Sequence, residues 1–480
     1  MPFRTVVHGG EIVTDTDQFH ADIVIDDGII VAIVANAANL SANQRIDASQ
    51  LLVLPGAIDT RTTFHEPDPE GLEGILRGGL AAAAGGVTTV IDLPVSSATS
   101  STTSSATSSG TSGGAAESAP TAEDTAARIR EIGRSTIVDI ALWAAPSGDG
   151  RAMSRIARLG VAGFASSMDP DASKLAATDD AGILLAMIAL ADLNVPLSIH
   201  CESPSLVAAG VAAMRAAGRR DALAAAESRP PIVESVAVNT ALFLAEQTGC
   251  WIHIPHVSAA ESLRLIADAR TRHVRVTTDT CPHYLTLNQA ELERLGGFGR
   301  TAPALRDQDE IDQLWSFVLD ETIDAISSDH IAATIEAKAA GDHDIFAAPI
   351  GLPGVQTMLP VFWDEAVNKR GMSRSQFARQ TATNAAQIFG LYPRKGSIRI
   401  GADADLVLFD PEGSWEVHGS ELLYSQGWSP FEGRAVKGMV VRTIRRGETI
   451  YDAERHADTS LARPGSGRFL PRTYGASQPA

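Results

Sequence analysis

Through the middle of the chain one rhythm repeats. A short apolar run ends on polar residues and is followed by a stretch with helical spacing, often rich in alanine. The runs are VTTVIDLP, TIVDIALWAA, VAGFASS, PLSIHCE, WIHIPHVS, VRVTTDTCPHY and IDAISSDH. Between them lie helical stretches around 205–228 and the segment VESVAVNTALFLAEQTG at 233–249. Strand–helix alternation of this kind demands a parallel sheet, because a crossover helix returns each strand to the same edge. Such a sheet either closes into a (β/α) barrel or stays open and doubly wound, and in both cases ligands gather at the C-terminal ends of the strands. Periodicity alone leaves the two architectures open.

The flanks read differently. Residues 1–55 alternate apolar runs with HGG and DDG, which read as hairpin turns. A matching pattern returns in SIRIGADADLVLFD and GMVVRTIRRGETIYD within 393–455. Two β segments around a long middle are expected to pair into one small sandwich built from both termini, with 56–392 as the main domain and 456–480 as a tail. Residues 96–122, SSATSSTTSSATSSGTSGGAAESAPTA, hold too little apolar area to offset ordering entropy and read as a disordered insertion, an inert loop or a lid.

At 480 residues the chain can hold one large core with a satellite domain, and a net charge of −19 argues against nucleic acid or an anionic membrane as partner. Cys201, Cys250 and Cys281 show no paired spacing, and no apolar run reaches membrane-spanning length, so the chain reads as cytoplasmic.

Chemistry-bearing side chains collect where the apolar runs stop. His200 ends PLSIH, His256 ends WIHIPH, His283 lies in TCPHY, and Asp329 with His330 ends the last run. Neutral imidazoles suit zinc, and a carboxylate beside an activated water is the usual base for hydrolysis. A lone histidine is more often a satisfied core residue. Several, each ending a separate run, point to a hydrolytic site.

PGAIDTRTTFHEPD, LEGILRGGLAAAAGGVTTVIDLP, SIHCES, IPHVSAAESL, TTDTCPHYL, TAPALRD, ISSDH, GLPGVQTMLP, TATNAAQIFGL and GADADLVLFDP resemble, in order, the blocks of the cyclic-amidase group of amidohydrolases. That group comprises allantoinases, hydantoinases and dihydroorotases, and the LEG and TDTCPHY phrasing is most similar to allantoinases. The resemblance implies a (β/α)8 TIM-type barrel with a β-sandwich from both termini. It also implies hydrolysis of a ring amide in a small cyclic ureide, hydantoin or dihydropyrimidine, and by analogy a homo-oligomer.

It further implies two divalent metals, and here this sequence departs. The group's His-x-His falls on Arg61 and Thr63, and its bridging carbamylated lysine falls on Ala165. Arginine has no lone pair and a permanent charge, threonine offers one weak ligand, and alanine offers none. A two-metal centre is therefore not expected. What the resemblance carries over is His200, His256 and Asp329, as ligands of one zinc ion or as the remains of a site that holds none. Asp329 is also the expected base, a role it cannot easily combine with tight ligation.

In the metal-free version Arg61 pairs with Asp329 and polarises a carbonyl. Glu202 and His283 are either extra ligands or structural hydrogen bonders. His65 is either a substrate contact or a plain rim histidine, and the blocks around Ala302 and Gly351 are expected to face the substrate. The group's asparagines fall on Ser96 and Ile350, which weakens a transfer of allantoin specificity. The alternative to an enzyme with a reduced site is an inactive homologue serving as scaffold, subunit or ligand-binding module.

Overall fold

The computed structural model describes residues 3–64, 73–94, 121–170, 172, 175, 177–455, 461 and 463–473. The expected disordered insertion, together with His65 and Ser96, lies outside these residues, apart from residues 121 and 122.

The parallel sheet closes. Its strands are β1 (Ala57–Thr63), β2 (Val87–Asp92), β3 (Asp139–Ala144), β4 (Gly163–Ser167), β5 (Leu197–His200), β6 (Ile252–Ile254), β7 (Val276–Thr280) and β8, which runs in two pieces, Ala325–Ile326 and His330–Ile331. Each strand pairs in parallel with the next. The first piece of β8 continues from β7, and the second pairs with β1, which shuts the ring. This decides the question that periodicity left open: a (β/α)8 barrel. Its strands are almost wholly buried, as expected where helices cover the outside and side chains fill the inside.

Two buried carboxylates inside this barrel are held by several hydrogen bonds each. Asp279 accepts hydrogen bonds from Thr60 Oγ1 (2.6 Å), the His256 backbone N–H (2.6 Å) and Ser327 Oγ (3.0 Å), and lies 3.1 Å from His253 Nε2. Asp59 accepts from the Ser328 backbone N–H at 3.0 Å and from the Ser328 hydroxyl. Burial raises its pKa to about 7, against the lowering effect of those bonds. These two carboxylates bind the gap in β8 to β1, β6 and β7.

The sandwich forms as expected from both ends of the chain. One sheet orders Ile29–Val34, Asp22–Asp26, Arg4–His8 and Gln44–Asp47. The other orders Glu448–Asp452, Ala435–Arg445, Leu406–Glu416, Leu52–Pro55, Glu11–Val13 and Gln18–His20. Ile12, Ile23, Ile25, Ile46, Leu406, Leu408 and Ile444 belong to one buried apolar cluster of this domain. DDG does turn a hairpin, with Asp27 and Gly28 both at positive φ. HGG does not. Arg4–His8 and Glu11–Val13 belong to different sheets, and Gly9 and Gly10 turn the corner between them. A Cβ on Gly10 would stand 2.7 Å from Val53. Local sequence cannot separate a hairpin from a sheet-to-sheet corner, because both need the same backbone freedom.

The tail is only partly a tail. Around residues 468–470 it lies along β3: Ile140 N–H donates to the Arg468 carbonyl, Leu470 N–H donates to the Ile140 carbonyl, and Leu470 is buried. Among the described residues no helix is long and apolar enough to cross a membrane.

Candidate active site

A small cavity, with room of about 20 Å³, opens at the C-terminal ends of the strands. Arg61 and Thr63 reach it from β1 together, since residues two apart on a strand share a face. His200 enters from the last residue of β5, His256 from the turn after β6, and Asp329 from the gap in β8. Leu93, Pro94, Ala172 and Leu175 form an apolar wall, and Ala302 and Ile331 complete the lining. One side of the site is thus charged or polar and the other is hydrocarbon. Ala165, where the resemblance places an anionic bridge, is buried in the apolar cluster that contains Leu93 and Leu175.

The structure brings six of the residues singled out from the sequence, Arg61, Thr63, His200, His256, Ala302 and Asp329, around this cavity. Arg61 Nε donates to Asp329 Oδ1 at 2.8 Å, and Arg61 is only 3% exposed. Its Nη1 is buried and has no hydrogen-bond partner. Burial raises the Asp329 pKa above the usual carboxylate range, although the Arg61 charge and hydrogen bond work against it. Asp329 has a φ of 46° and His256 a φ of 44°, in the left-handed region that costs a non-glycine residue about 1–3 kcal/mol. Asp279 and Ser328 hold both turns in place: the His256 N–H is bound by Asp279, and the His330 N–H donates to Ser328 Oγ at 3.0 Å.

A second chain of contacts leads away from His256. His256 Nε2 lies 3.1 Å from His200 Nδ1, and His200 Nε2 lies 3.0 Å from Glu202 Oε2. Arg229 Nη1 donates to the same Glu202 oxygen at 2.6 Å and lies 2.8 Å from Asp169 Oδ2. Burial pushes the Glu202 pKa up. The Arg229 charge and the His200 hydrogen bond outweigh it and hold the group below the usual carboxylate range. Glu202 is therefore an anion that accepts from His200 Nε2–H. In a neutral ring that leaves His200 Nδ1 as acceptor and His256 Nε2–H as donor. The lone pair of His256 then sits on Nδ1, which is buried without a partner. Burial first, then the charge of Arg61, hold the His256 pKa well below its ordinary value, so the ring is neutral at pH 7.

The other expected residues take different places. His330 is outside the cavity lining. Its Nε2 meets Glu73 Oε2 at 2.5 Å and its Nδ1 accepts from the Gly354 N–H at 3.1 Å, which ties β8 to the following loop. His283 is buried, its Nε2 is without a partner, and desolvation lowers its pKa to about 3. Gly351 is not among the residues lining the cavity. It stands behind Ile331, where an added Cβ would come within 2.6 Å of the Ile331 Cβ. Arg229 and Asp169 were not singled out from the sequence. Arg229 lies in ESRPP, just before a helix (Pro231–Thr248) and 27 residues from the Glu202 it serves, with no strand end to flag it.

Against a cation this donor set is a poor fit. Among the described residues one group could surround an ion, Asp169, His200 and Glu202, whose ligand atoms lie within 4.8 Å of one another. Its carboxylates already share the Arg229 guanidinium. On the cavity side, a cation held by Asp329 Oδ1 at the usual 2.0–2.2 Å would lie no more than ~5 Å from Arg61 Nε. At that range a divalent ion and a guanidinium repel by roughly 7 kcal/mol at an effective dielectric of ~20.

Comparison with known proteins agrees with this architecture. The sequence model of the amidohydrolase family matches residues 52–450. The chain is 36% identical to an allantoinase of Rubrobacter xylanophilus over 461 residues, which covers 94% of this chain and 95% of that protein. It is 32% identical to an allantoinase of Escherichia coli (O1:K1), covering 95% and 96%. Among solved structures it superposes on the L-hydantoinase (dihydropyrimidinase) of Arthrobacter aurescens with a TM-score of 0.90 at 27% identity, covering 98% of this chain and all of that one. The dihydropyrimidinase of Brevibacillus agri gives a TM-score of 0.87 at 26% identity, with 99% and 100% covered.

Proposed function

Because the chain belongs to the amidohydrolase family, matched over residues 52–450, we propose that it hydrolyses a ring C–N amide bond in a small cyclic ureide or amide. The substrate class is that of allantoin, hydantoins and dihydropyrimidines. One observation carries this reading: a buried carboxylate, Asp329, and a buried guanidinium, Arg61, are held together and line a cavity at the C-terminal ends of the barrel strands. Asp329 takes a proton from water as the water oxygen bonds to the ring carbonyl carbon. The C–N bond then breaks and the same proton passes to the leaving nitrogen, leaving one opened molecule with a carboxylic or carbamic acid at one end and a free amine or amide at the other, and the acid's remaining proton is lost to solvent. Burial raises the Asp329 pKa from its ordinary value, which makes the carboxylate a better proton acceptor. Leu93, Pro94, Ala172 and Leu175 give the site an apolar side against which the ring would lie. The same reading has the enzyme working in the cytoplasm as a homo-oligomer.

The test is turnover by the purified full chain against allantoin, hydantoin and dihydrouracil, following ring opening by chromatography. Expected is turnover of at least one ring that Asp329→Asn abolishes. No ring opening on any of them, with or without added zinc, sinks the reading and leaves an inactive homologue that serves as a scaffold or binding module.

A further inference from the structure

We propose that Arg61 takes the place of metal in this site: its guanidinium excludes a divalent ion and itself supplies the positive charge that faces the substrate carbonyl. The inference rests on the hydrolase reading above for its second half and on geometry alone for its first.

Three observations carry it. First, the guanidinium is fixed where a cation held by Asp329 would feel it most, with Nε on Asp329 Oδ1 at 2.8 Å. Asp329 itself sits at a φ of 46°. Second, the two imidazoles share a hydrogen bond at 3.1 Å, so each turns a ring nitrogen to the other and not to a cation. Third, the site has an unpaired donor. Arg61 Nη1 is buried and without a partner, in a side chain that lines the cavity. A buried donor left unsatisfied is costly, and a ligand oxygen that accepts from it removes the cost. Such a donor, fixed before substrate arrives, stabilises negative charge developing on a carbonyl oxygen. An ammonium could carry the same charge but not the same fork, since a guanidinium can hold Asp329 through Nε while a terminal nitrogen faces elsewhere.

Arg61→His and Arg61→Lys separate the two halves. The full chain, equilibrated with excess zinc at pH 7.5 and desalted, is expected to retain under about 0.1 zinc per chain. Manganese, iron and cobalt measured in the same sample are expected to be equally low. Arg61→His is expected to raise zinc affinity at least tenfold by isothermal titration, because it removes a charge and adds a ligand. On a substrate that the wild type opens, chelator is expected to leave kcat/KM within twofold. Arg61→Lys is expected to lower kcat more than a hundredfold with little change in KM, which a merely structural role would not produce.

Stoichiometric zinc in the wild type, with turnover lost on chelation, overturns the inference and leaves the hydrolase reading standing. Zinc affinity unchanged in Arg61→His overturns the exclusion. No turnover by the wild type under any condition overturns the hydrolase reading and the charge-supplying half together, while the zinc measurements still judge the exclusion.

Discussion

Arg229 stands one step behind the cavity, and its removal gives a sharp test of how the site is held. In Arg229→Met the side chain keeps much of its bulk but loses the charge that Glu202 and Asp169 share. Glu202 is fully buried and Asp169 is 1% exposed. Taking one partner from a buried ion pair costs about 3–5 kcal/mol, because the other charge stays out of water. Unfolding a 480-residue chain as one unit carries an entropy of roughly 1 kcal/mol/K, so Tm should fall by about 3–5 °C at pH 7.5.

The pH dependence identifies the cause. In the wild type the folded-state pKa of Glu202 lies below the unfolded value, so its stabilisation is full above the unfolded pKa and is lost only as pH falls through the lower, folded value. Without Arg229, burial dominates and the folded pKa moves above the unfolded one. The variant then regains stability as pH falls and Glu202 takes up a proton. The gap between wild type and variant should therefore be smaller at pH 5.0 than at pH 7.5. Thermal melts followed by circular dichroism at the two pH values measure it. An equal gap at both, or no gap at pH 7.5, refutes the assignment of Arg229 as the counter-charge of Glu202.

Asp329→Asn should lower kcat by about 10²–10⁴, the usual worth of a positioned acid–base group, while the fold persists by circular dichroism. In the wild type the acid limb of kcat/KM should fall at a pH above the ordinary carboxylate pKa, because burial raises that of Asp329; a flat profile down to pH 4 counts against it as base. Gly351→Ala puts a Cβ within 2.6 Å of Ile331 at a φ of 119°, so Ile331 is expected to shift into the cavity. The expected result is a raised KM and a loss of about 1–3 kcal/mol, read by denaturant titration. Leu470→Ala should destabilise by about 2–5 kcal/mol although it lies in the last stretch of the chain, since Leu470 is buried where the tail pairs with β3; an unchanged Tm would show that this stretch is not docked in solution.

The sequence alone carries seven of the eight barrel strands as apolar runs, with β1 placed only by the family resemblance, and the two-ended sandwich. Each of the seven is a local run whose apolar residues and polar ending can be read without knowing its neighbours. Together with the family resemblance it also carries the half-site, since the resemblance picks out the positions and the lone pairs and charge of Arg61, Thr63, Ala165, His200, His256 and Asp329 can be read from side chains taken singly. Tertiary structure decided what depends on distance between remote segments. Ring closure rests on β8 meeting β1, and HGG turns a corner because of which sheets its flanking strands join. Arg229 became visible only when the helix start that carries it met Glu202, and Gly351 moved from ligand contact to support behind Ile331. Most of all, packing linked Glu202, His200 and His256 in one chain of contacts and left Arg61 Nη1 buried without a partner. Burial gives those bonds their weight, because away from water an unpaired donor or an unshielded charge has no other partner.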